Sequence, residues 1–296
     1  MCRILYALNQ PGLKSKLNTF LSHSNSTRFC AVALDGYGFA SMSYSHKWSI
    51  YKTVAAPLED PKMDEVVERI SNNLFIIGQI RNARIANMPK RHIKNTHPFY
   101  YKNRVFVHNG YLKNAHLRET RKLIYERISP DFYKSIKGET DSELLFYLFL
   151  SALKTREWIY GDIDMLKGHG CQTPTKFEEY RDAVCECFKI VGEICPEHIA
   201  NFVYADKEFS VVGRISKNAT DKLKRIHPLH IHPSVPTKSQ ILFSSEPVNA
   251  AGKMVKWETF YVINHLSGEY HEFNVQPPYG GSKTHPKGST DVNVQT

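Results

Sequence analysis

The chain has 296 residues, of which 42% are hydrophobic, so it can bury a core as one large domain or two small ones and is not a disordered chain. Its formal net charge is +10, and the excess lies between residues 80 and 137, where 14 basic residues stand against three acidic ones. That segment alone carries +11, which leaves the rest of the chain close to neutral. We therefore do not expect a generally basic coat that binds nucleic acid.

The sequence has no apolar stretch long enough to cross a bilayer and no basic-then-apolar leader at its start. We therefore expect a soluble, cytoplasmic protein without a membrane partner. Its six cysteines are too few and too irregularly spaced for a disulfide framework, so reduced thiols are expected.

Two groups of residue types that bind metals occur in the second half. They are Cys185, Cys187, Cys195 and His198, and then His227, His230 and His232. A Cys-x-Cys pair on a helix points its two sulfurs about 200° apart, which is unsuited to one zinc ion. The three histidines fall in a Pro-rich stretch that is predicted to be a surface loop. We expect a metal centre at neither group.

In chain order, short apolar segments broken by Gly, Asn and Pro predict strands in the first half at 2–8, 37–44, 48–54, 74–81 and 104–108. Helical spacing predicts helices after Pro61 and over 117–128. Thr140 is the predicted N-cap of an almost wholly apolar helix that reaches residue 153. Such a helix must be covered on most of its sides.

In the second half, an amphipathic pattern predicts a helix over 177–191. Strands are predicted at 201–205, 209–215, 241–245 and 257–263. From residue 276 the composition shifts to Pro, Gly, Ser, Lys and Thr. We therefore predict one domain over 1–275 and a disordered tail over 276–296.

Cys2 follows Met1, and cysteine is small enough for an initiator methionine to be removed in front of it. The residue would then carry a thiol and a free α-amino group. The ordinary pKa values of these groups are about 8.5 and about 8, so the amine can accept the thiol proton at neutral pH. Taken alone, however, a cysteine here is more often a buried strand residue.

Four further motifs follow Met1-Cys2 along the chain. They are DGYGFA at 35–40, IGQIRNAR at 77–84, NTHPF at 95–99 with VHNGYL at 107–112, and GETDSE at 138–143. In this order and spacing they resemble the class II glutamine amidotransferases, and within them the stand-alone YafJ-like branch, to which SSEPV at 244–248 is also similar. The resemblance extends from residue 2 to about residue 273. It implies an α+β fold, the four-layer α-β-β-α sandwich of the N-terminal-nucleophile hydrolases.

The resemblance implies that Cys2 attacks the side-chain amide of glutamine and forms a thioester, which water then hydrolyses. It also implies that the Asn109 side-chain amide and the Gly110 backbone N–H stabilise the oxyanion. An Asn-Gly pair is also the usual sequence of a tight hairpin turn, and this alternative stays open.

Substrate binding is assigned in the same way. Arg81 is expected to pair with the substrate α-carboxylate, because a planar guanidinium makes two parallel hydrogen bonds to it. Asp141 is expected to bind the α-ammonium group, although an acid at a helix start has a purely structural explanation as well. His97 and His108 are expected to be structural, since the α-amine already supplies the base.

Two positions depart from the family pattern. Gln79 stands where the family has histidine, and Arg84 stands where it has threonine. Arg84 would either add a second cation to the substrate site, which favours a larger anionic γ-glutamyl substrate, or fill the site and weaken turnover, or simply point to solvent. These departures bear on substrate identity and efficiency more than on the fold.

Three functional classes follow from these residues. The first is an amidohydrolase that needs no metal or organic cofactor and acts on glutamine or another small γ-glutamyl compound, either alone or with an ammonia-accepting or peptidase partner protein. The second is a catalytically weakened binding or scaffold subunit with the same fold. A nucleic-acid binder ranks last, because no exposed aromatic pattern or known motif accompanies the basic segment. We interpret that segment as bordering the site and facing an anionic substrate or an acidic partner.

Overall fold

The computed structural model describes residues 2–22, 35–82, 91–165, 175–233, 240–246 and 252–275. Its strands are β1 (Arg3–Leu8), β2 (Tyr37–Met42), β3 (Trp48–Thr53), β4 (Phe75–Ile80), β5 (Phe99–Tyr101), β6 (Arg104–Leu112), β7 (His198–Ala205), β8 (Phe209–Lys217), β9 (His230–Pro233), β10 (Ile241–Ser244), β11 (Lys253–Met254), β12 (Thr259–Asn264) and β13 (Tyr270–Asn274). Its α-helices are α1 (Leu13–Ser22), α2 (Met63–Ile70), α3 (Arg118–Tyr125), α4 (Asp141–Met165), α5 (Lys176–Ile194) and α6 (Asp221–Arg225).

The strands form two antiparallel sheets that pack face to face. The first has the order β11-β9-β10-β1-β4-β2-β3, and the second has the order β13-β12-β8-β7-β6-β5. Side chains alternate between the two faces of each strand. In β1, Ile4 and Tyr6 therefore join the apolar cluster between the sheets, whereas Leu5 and Ala7 pack against α1 and α2 on the outside.

The outer face of the second sheet is covered by α3, α4 and α5, which share one apolar cluster with it. The layers therefore run helices, sheet, sheet, helices, and the predicted α+β four-layer sandwich is confirmed. Because α4 lies between the sheet and its neighbouring helices, its apolar residues are buried around most of its circumference. The Thr140 hydroxyl accepts the Glu143 N–H at 3.1 Å, which is the predicted N-cap. Of the helices in the described part of the chain, neither α4 nor any shorter one has an apolar stretch suited to crossing a bilayer.

The structure corrects two of the sequence predictions. Strand β6 does not stop at His108 but continues through Asn109 and Gly110 to Leu112, so the Asn-Gly pair is not a turn. The histidines of the Pro-rich stretch do not form a surface loop: His230 and His232 belong to β9. They are held there because β9 pairs with both β10 and β11. The predicted tail at 276–296 lies outside the described residues.

Two deeply buried histidines make the fold sensitive to acid. His227 Nδ1 lies 2.8 Å from the carbonyl oxygen of Leu223, and His265 Nε2 lies 2.6 Å from the Ser210 hydroxyl. Burial lowers the pKa of both His227 and His265 to about 4. An unfolded histidine titrates near pH 6.5, so between pH 6.5 and 4 the unfolded chain binds protons that the folded chain excludes. Each histidine should therefore make its full contribution to the free energy of unfolding above pH 6.5. This contribution should be lost as the pH falls towards 4, by up to about 3 kcal/mol for each histidine.

Urea unfolding measured at a series of pH values checks this expectation. His265→Gln should reduce the pH dependence of the unfolding free energy between pH 4 and 6.5 by about one proton's worth, whatever its effect at pH 7. His116→Gln, at an exposed position, is the control and should leave the pH dependence as it is. An unchanged dependence in His265→Gln would contradict the assignment.

Candidate active site

Cys2 lies directly before β1, at the end of the first sheet. The alternation of β1 places its side chain on the same face as Ile4 and Tyr6, towards the second sheet. The thiol is half-buried, and its sulfur lies 3.4 Å from the backbone nitrogen of Asn82, which donates to it, and 3.8 Å from the carbonyl oxygen of the same residue. The β1–β4 pairing thus holds the thiol against the residue that follows Arg81.

Asn109 faces Cys2 from the other sheet. It shares the inner face of β6 with Val105 and Val107, and it lines a cavity of about 10 Å³ together with Cys2. The Asn109 side chain is buried, and within the part of the chain that the structure describes its Nδ2 has no hydrogen-bond acceptor. A buried donor without an acceptor costs roughly 1–3 kcal/mol of stability. This amide is therefore available to donate to a group that enters the cavity.

Gly110 is required by the close approach of β6 and β7. A Cβ atom at this position would lie 1.9 Å from the carbonyl oxygen of Ile199 and 2.7 Å from His108 Nε2. Both neighbours are fixed, one in the backbone of β7 and the other in a buried ring. No side chain fits at this position unless the two strands separate.

Gly110→Ala should therefore destabilise the fold by about 1–3 kcal/mol, the usual range for overpacking a rigid site, with a lower urea midpoint. Gly192→Ala is the matched control on α5, because its Cβ would meet only the flexible end of Lys217, at 3.0 Å. That variant should be as stable as the parent or slightly more so, since alanine favours helix. Equal midpoints for the two variants would contradict the close-approach argument.

His108 connects three elements around this site. Its Nε2 lies 3.2 Å from the carbonyl oxygen of Ile199, and its Nδ1 lies 2.9 Å from the Ser142 hydroxyl. Since a carbonyl only accepts, Nε2 carries the proton and Nδ1 accepts from Ser142. Burial lowers the pKa of His108 and keeps the ring neutral. The ring thereby ties Asn109 to the start of α4.

Asp141 is the first residue of α4. Its carboxylate accepts the Leu112 N–H at 2.9 Å and the Ser142 N–H at 2.8 Å, so it joins the end of β6 to the helix N-terminus. Arg81 is buried, and burial lowers its pKa, whereas Cys2, Asp35 and Asp141 act in the opposite direction. The guanidinium therefore lies within electrostatic reach of both Cys2 and Asp141.

Four of the predicted site residues, Cys2, Arg81, Asn109 and Asp141, are thus neighbours, and Gly110 adjoins Asn109. Arg84 lies outside the described residues.

Gln79, where the family has histidine, is fully buried on the inner face of β4. Within the described ranges both polar atoms of its side chain lack hydrogen-bond partners. Its cross-strand neighbour is Gly38, whose missing side chain makes room for the carbonyl oxygen of His97. Burial lowers the pKa of His97 well below its usual range, so this ring is neutral too. The departure at Gln79 thus sits in a buried polar region and does not point to solvent.

The sequence did not assign any role to Arg3, Ser245 and Glu246, which line the same cavity as Cys2. The Arg3 guanidinium donates to the Glu246 carboxylate in a buried ion pair. Ser245 makes two hydrogen bonds to Ile4, the residue after Arg3. Its hydroxyl accepts the Ile4 N–H, and its own N–H donates to the Ile4 carbonyl, both at 2.9 Å. The available signal was a lone arginine at the start of an otherwise apolar strand, together with the SSEPV motif.

The described residues include no group of three or more His, Cys, Asp or Glu side chains arranged to hold a metal ion. The four cysteines in the described ranges, Cys2, Cys185, Cys187 and Cys195, are thiols and not disulfides. Burial raises the pKa of Cys195 to about 11, and it raises the pKa of Cys187 further still. Both thiols are therefore protonated at neutral pH and packed as apolar side chains.

The architecture around this site is that of solved amidotransferases. A glutamine aminotransferase class-II domain protein from Silicibacter pomeroyi superposes with a TM-score of 0.59 at 18% identity, over 93% of this chain and 100% of that one. The glutamine phosphoribosylpyrophosphate amidotransferase of B. subtilis superposes with a TM-score of 0.58 at 14% identity, over 93% of this chain and 49% of that one. The fold is therefore that of the N-terminal-nucleophile amidotransferases.

The sequence comparison agrees with the fold. The probable glutamine amidotransferase DUG3 of Saccharomyces cerevisiae is 23% identical over 237 residues, which are 76% of this chain and 63% of that protein's length. The match thus spans less than two thirds of this relative. No family model matches the chain. The resemblance to the class II glutamine amidotransferases is confirmed, and the stand-alone branch stays a prediction.

Proposed function

We propose that this chain is an amidohydrolase of the glutamine amidotransferase type, in which Cys2 attacks the γ-amide of glutamine or of another γ-glutamyl compound. One observation carries the proposal: the Cys2 thiol and the unpaired Asn109 amide donor share a single cavity among the described residues. Acyl transfer requires a nucleophile and a hydrogen-bond donor that can stabilise the oxyanion, both facing the same cavity. The similarity to glutamine amidotransferases supports the same chemistry.

The proposed reaction begins once Met1 is removed, which leaves Cys2 with a free α-amine. The amine takes the thiol proton, and the thiolate adds to the γ-carbonyl carbon. The Asn109 amide and the Gly110 N–H donate to the resulting oxyanion. The amine then returns the proton to the leaving nitrogen, ammonia or an amine departs, and a glutamyl thioester remains. Water adds to this thioester, glutamate leaves, and the thiol is restored.

Two charged groups are suited to the amino-acid end of the substrate. Arg81 is a buried cation next to Cys2, and we assign it to the α-carboxylate. Asp141 still has acceptor positions after its two backbone hydrogen bonds, and we assign it to the α-ammonium group. Arg84, proposed to add a cation for a larger anionic substrate, stays part of the hypothesis on substrate choice.

The basic segment reaches this site through the loop in front of Asp141. Arg121 donates to the carbonyl oxygens of Gly138 and Glu139, at 3.2 and 3.0 Å. Lys94 is exposed, and its carbonyl would lie 2.8 Å from a Cβ at Gly138. We propose that these cations favour an anionic γ-glutamyl substrate or an acidic partner protein, either an ammonia acceptor or a peptidase subunit.

The test has two parts on the purified full chain. Intact mass spectrometry measures whether Met1 has been removed. Hydrolysis assays then measure glutamate and ammonia separately with glutamine, γ-glutamyl dipeptides and glutathione. Glutamate with ammonia from glutamine is expected for an amidase, and glutamate without ammonia from the peptides is expected for a γ-glutamyl peptidase.

Retention of Met1 would overturn the free-amine mechanism. If Met1 is removed and no substrate yields glutamate, the proposed activity fails, and the binding or scaffold subunit replaces it. The cavity of about 10 Å³ has room for roughly one water molecule, so a substrate side chain requires the site to widen. For an inactive chain, calorimetry with glutamate distinguishes two cases. Binding indicates an open site that lacks turnover, and no binding indicates a closed site.

A further inference from the structure

A row of buried polar side chains crosses the second sheet beside the cavity. Asn109 of β6 pairs with Asn201 of β7, and Asn201 pairs with Arg214 of β8. All three side chains are buried, and Asn201 and Arg214 share the inner face of their strands with Val203 and Val212. The row therefore extends from the proposed oxyanion donor into the space between the sheets.

Asn201 and Arg214, the two members of the row beyond Asn109, hold one segment of backbone. Asn201 Nδ2 donates to the carbonyl oxygens of His227 and Pro228, at 3.0 and 3.2 Å. Arg214 Nη2 donates to the same His227 oxygen at 3.2 Å, and its Nη1 donates to the Val255 carbonyl. Three donations from two side chains thus converge on two consecutive peptide groups.

Holding this segment with Arg214 requires a charged guanidinium to be buried, which costs stability. Within the described ranges no carboxylate forms an ion pair with it, and its guanidinium lies 3.9 Å from the centre of the Trp257 ring. Burial lowers the pKa of Arg214 to about 10. A buried cation that is compensated only by carbonyl dipoles and a ring face is a poor source of stability compared with an apolar side chain. Its presence calls for an explanation other than packing.

The segment that these residues hold is a wall of the cavity. Ile226 and Pro228 line it together with Cys2 and Asn109. We propose that Asn201 and Arg214 are positioning residues, which keep the 226–228 segment in place so that it confines a bound acyl group against the oxyanion donors. This inference rests on the proposed function. The geometry itself is independent of it, because the wall is held by the hydrogen bonds of Asn201 and Arg214 to the backbone.

The first variant separates positioning from stability. Asn201→Asp keeps the size of the side chain and places a carboxylate on the strand next to Arg214, which supplies the missing counter-ion. A carboxylate cannot donate, so both hydrogen bonds to the 226–228 segment are lost. We expect a melting temperature within a few degrees of the parent and at least a tenfold lower kcat, with KM changed less than threefold.

The second variant is Arg214→Lys, which keeps the charge but offers a point donor in place of the fork that reaches His227 and Val255 together. We expect a tenfold loss of kcat here as well. The matched control is Arg104→Lys, at an arginine whose ion pair with Glu157 lies at the other end of β6. It should keep the parent kcat.

The rate at which iodoacetamide alkylates Cys2, followed by peptide mass spectrometry, gives a readout without turnover. A loosened wall exposes the half-buried thiol, so both variants should be alkylated at least threefold faster than the parent and Arg104→Lys. If the parent hydrolyses nothing but the variants are alkylated faster, the proposed function fails while the positioning role stands. If the variants fold and Cys2 is alkylated at the same rate as in the parent, the positioning role is wrong. It is also wrong if the parent is active and the folded variants have the same kcat as the parent.

Discussion

Cys2→Ala should abolish hydrolysis of every γ-glutamyl substrate, with kcat reduced by about 1000-fold or more, because none of the other described residues that line the cavity carries a thiol. Substrate binding should persist, since the clamps proposed at Arg81 and Asp141 are untouched. Ammonia and glutamate release under substrate saturation measure the first effect, and calorimetry with glutamine measures the second. Cys2→Ser should recover little of the loss, because a hydroxyl is a much weaker nucleophile at neutral pH.

The matched control is Cys185→Ala, which removes another half-buried thiol, on α5, away from the cavity. It should keep the parent kcat and KM. Equal rates for Cys2→Ala and the parent would remove Cys2 from the mechanism, whatever the state of Met1.

Asn109→Ala should separate activity from stability. Loss of one oxyanion donor typically reduces kcat by about 100-fold to 1000-fold, and KM should change little because the donor acts in the transition state. The Nδ2 group has no acceptor among the described residues, so its removal breaks no hydrogen bond that the structure describes. We therefore expect a free energy of unfolding within about 1 kcal/mol of the parent. Steady-state kinetics and urea unfolding on the same preparation measure both quantities.

Asn73→Ala is the converse control. Its amide donates to the Ser41 hydroxyl at 2.8 Å, next to the start of β4 and at the end of the strand away from Cys2. This variant should lose about 1 kcal/mol of stability and keep its activity. If Asn109→Ala were as active as the parent, Asn109 would have no role as an oxyanion donor.

The departure at Gln79 has a sharper meaning in the structure than in the sequence. The sequence pattern shows only that glutamine replaces histidine two residues before Arg81. The structure places this amide on the inner face of β4, beside Gly38 and the inserted His97 backbone. We therefore expect the change at Gln79 to affect substrate choice and rate more than the fold.

Local interactions explain which parts of the fold the sequence alone could predict. The strands over 37–44, 48–54 and 74–81 follow from alternating or continuous apolar residues, and the start of α4 follows from Thr140, whose hydroxyl caps a residue three positions later. The motifs around Cys2, Arg81, Asn109 and Asp141 supplied the candidate site residues, because each motif is contiguous in the chain. The resemblance that these motifs carry also implied the layered fold.

Only the tertiary structure decided whether Asn109 and Gly110 form a turn or a strand, because Gly110 fits against Ile199, which lies far along the chain. It also decided that the segment with His230 and His232 is a strand, since its partners come from β10 and β11. The local patterns predicted individual strands and helices, and the resemblance carried by the motifs implied the class of fold and the candidate site residues. The cavity, the Asn109 amide that faces it and the position of the 226–228 segment depend on tertiary contacts. No local sequence pattern encodes these contacts.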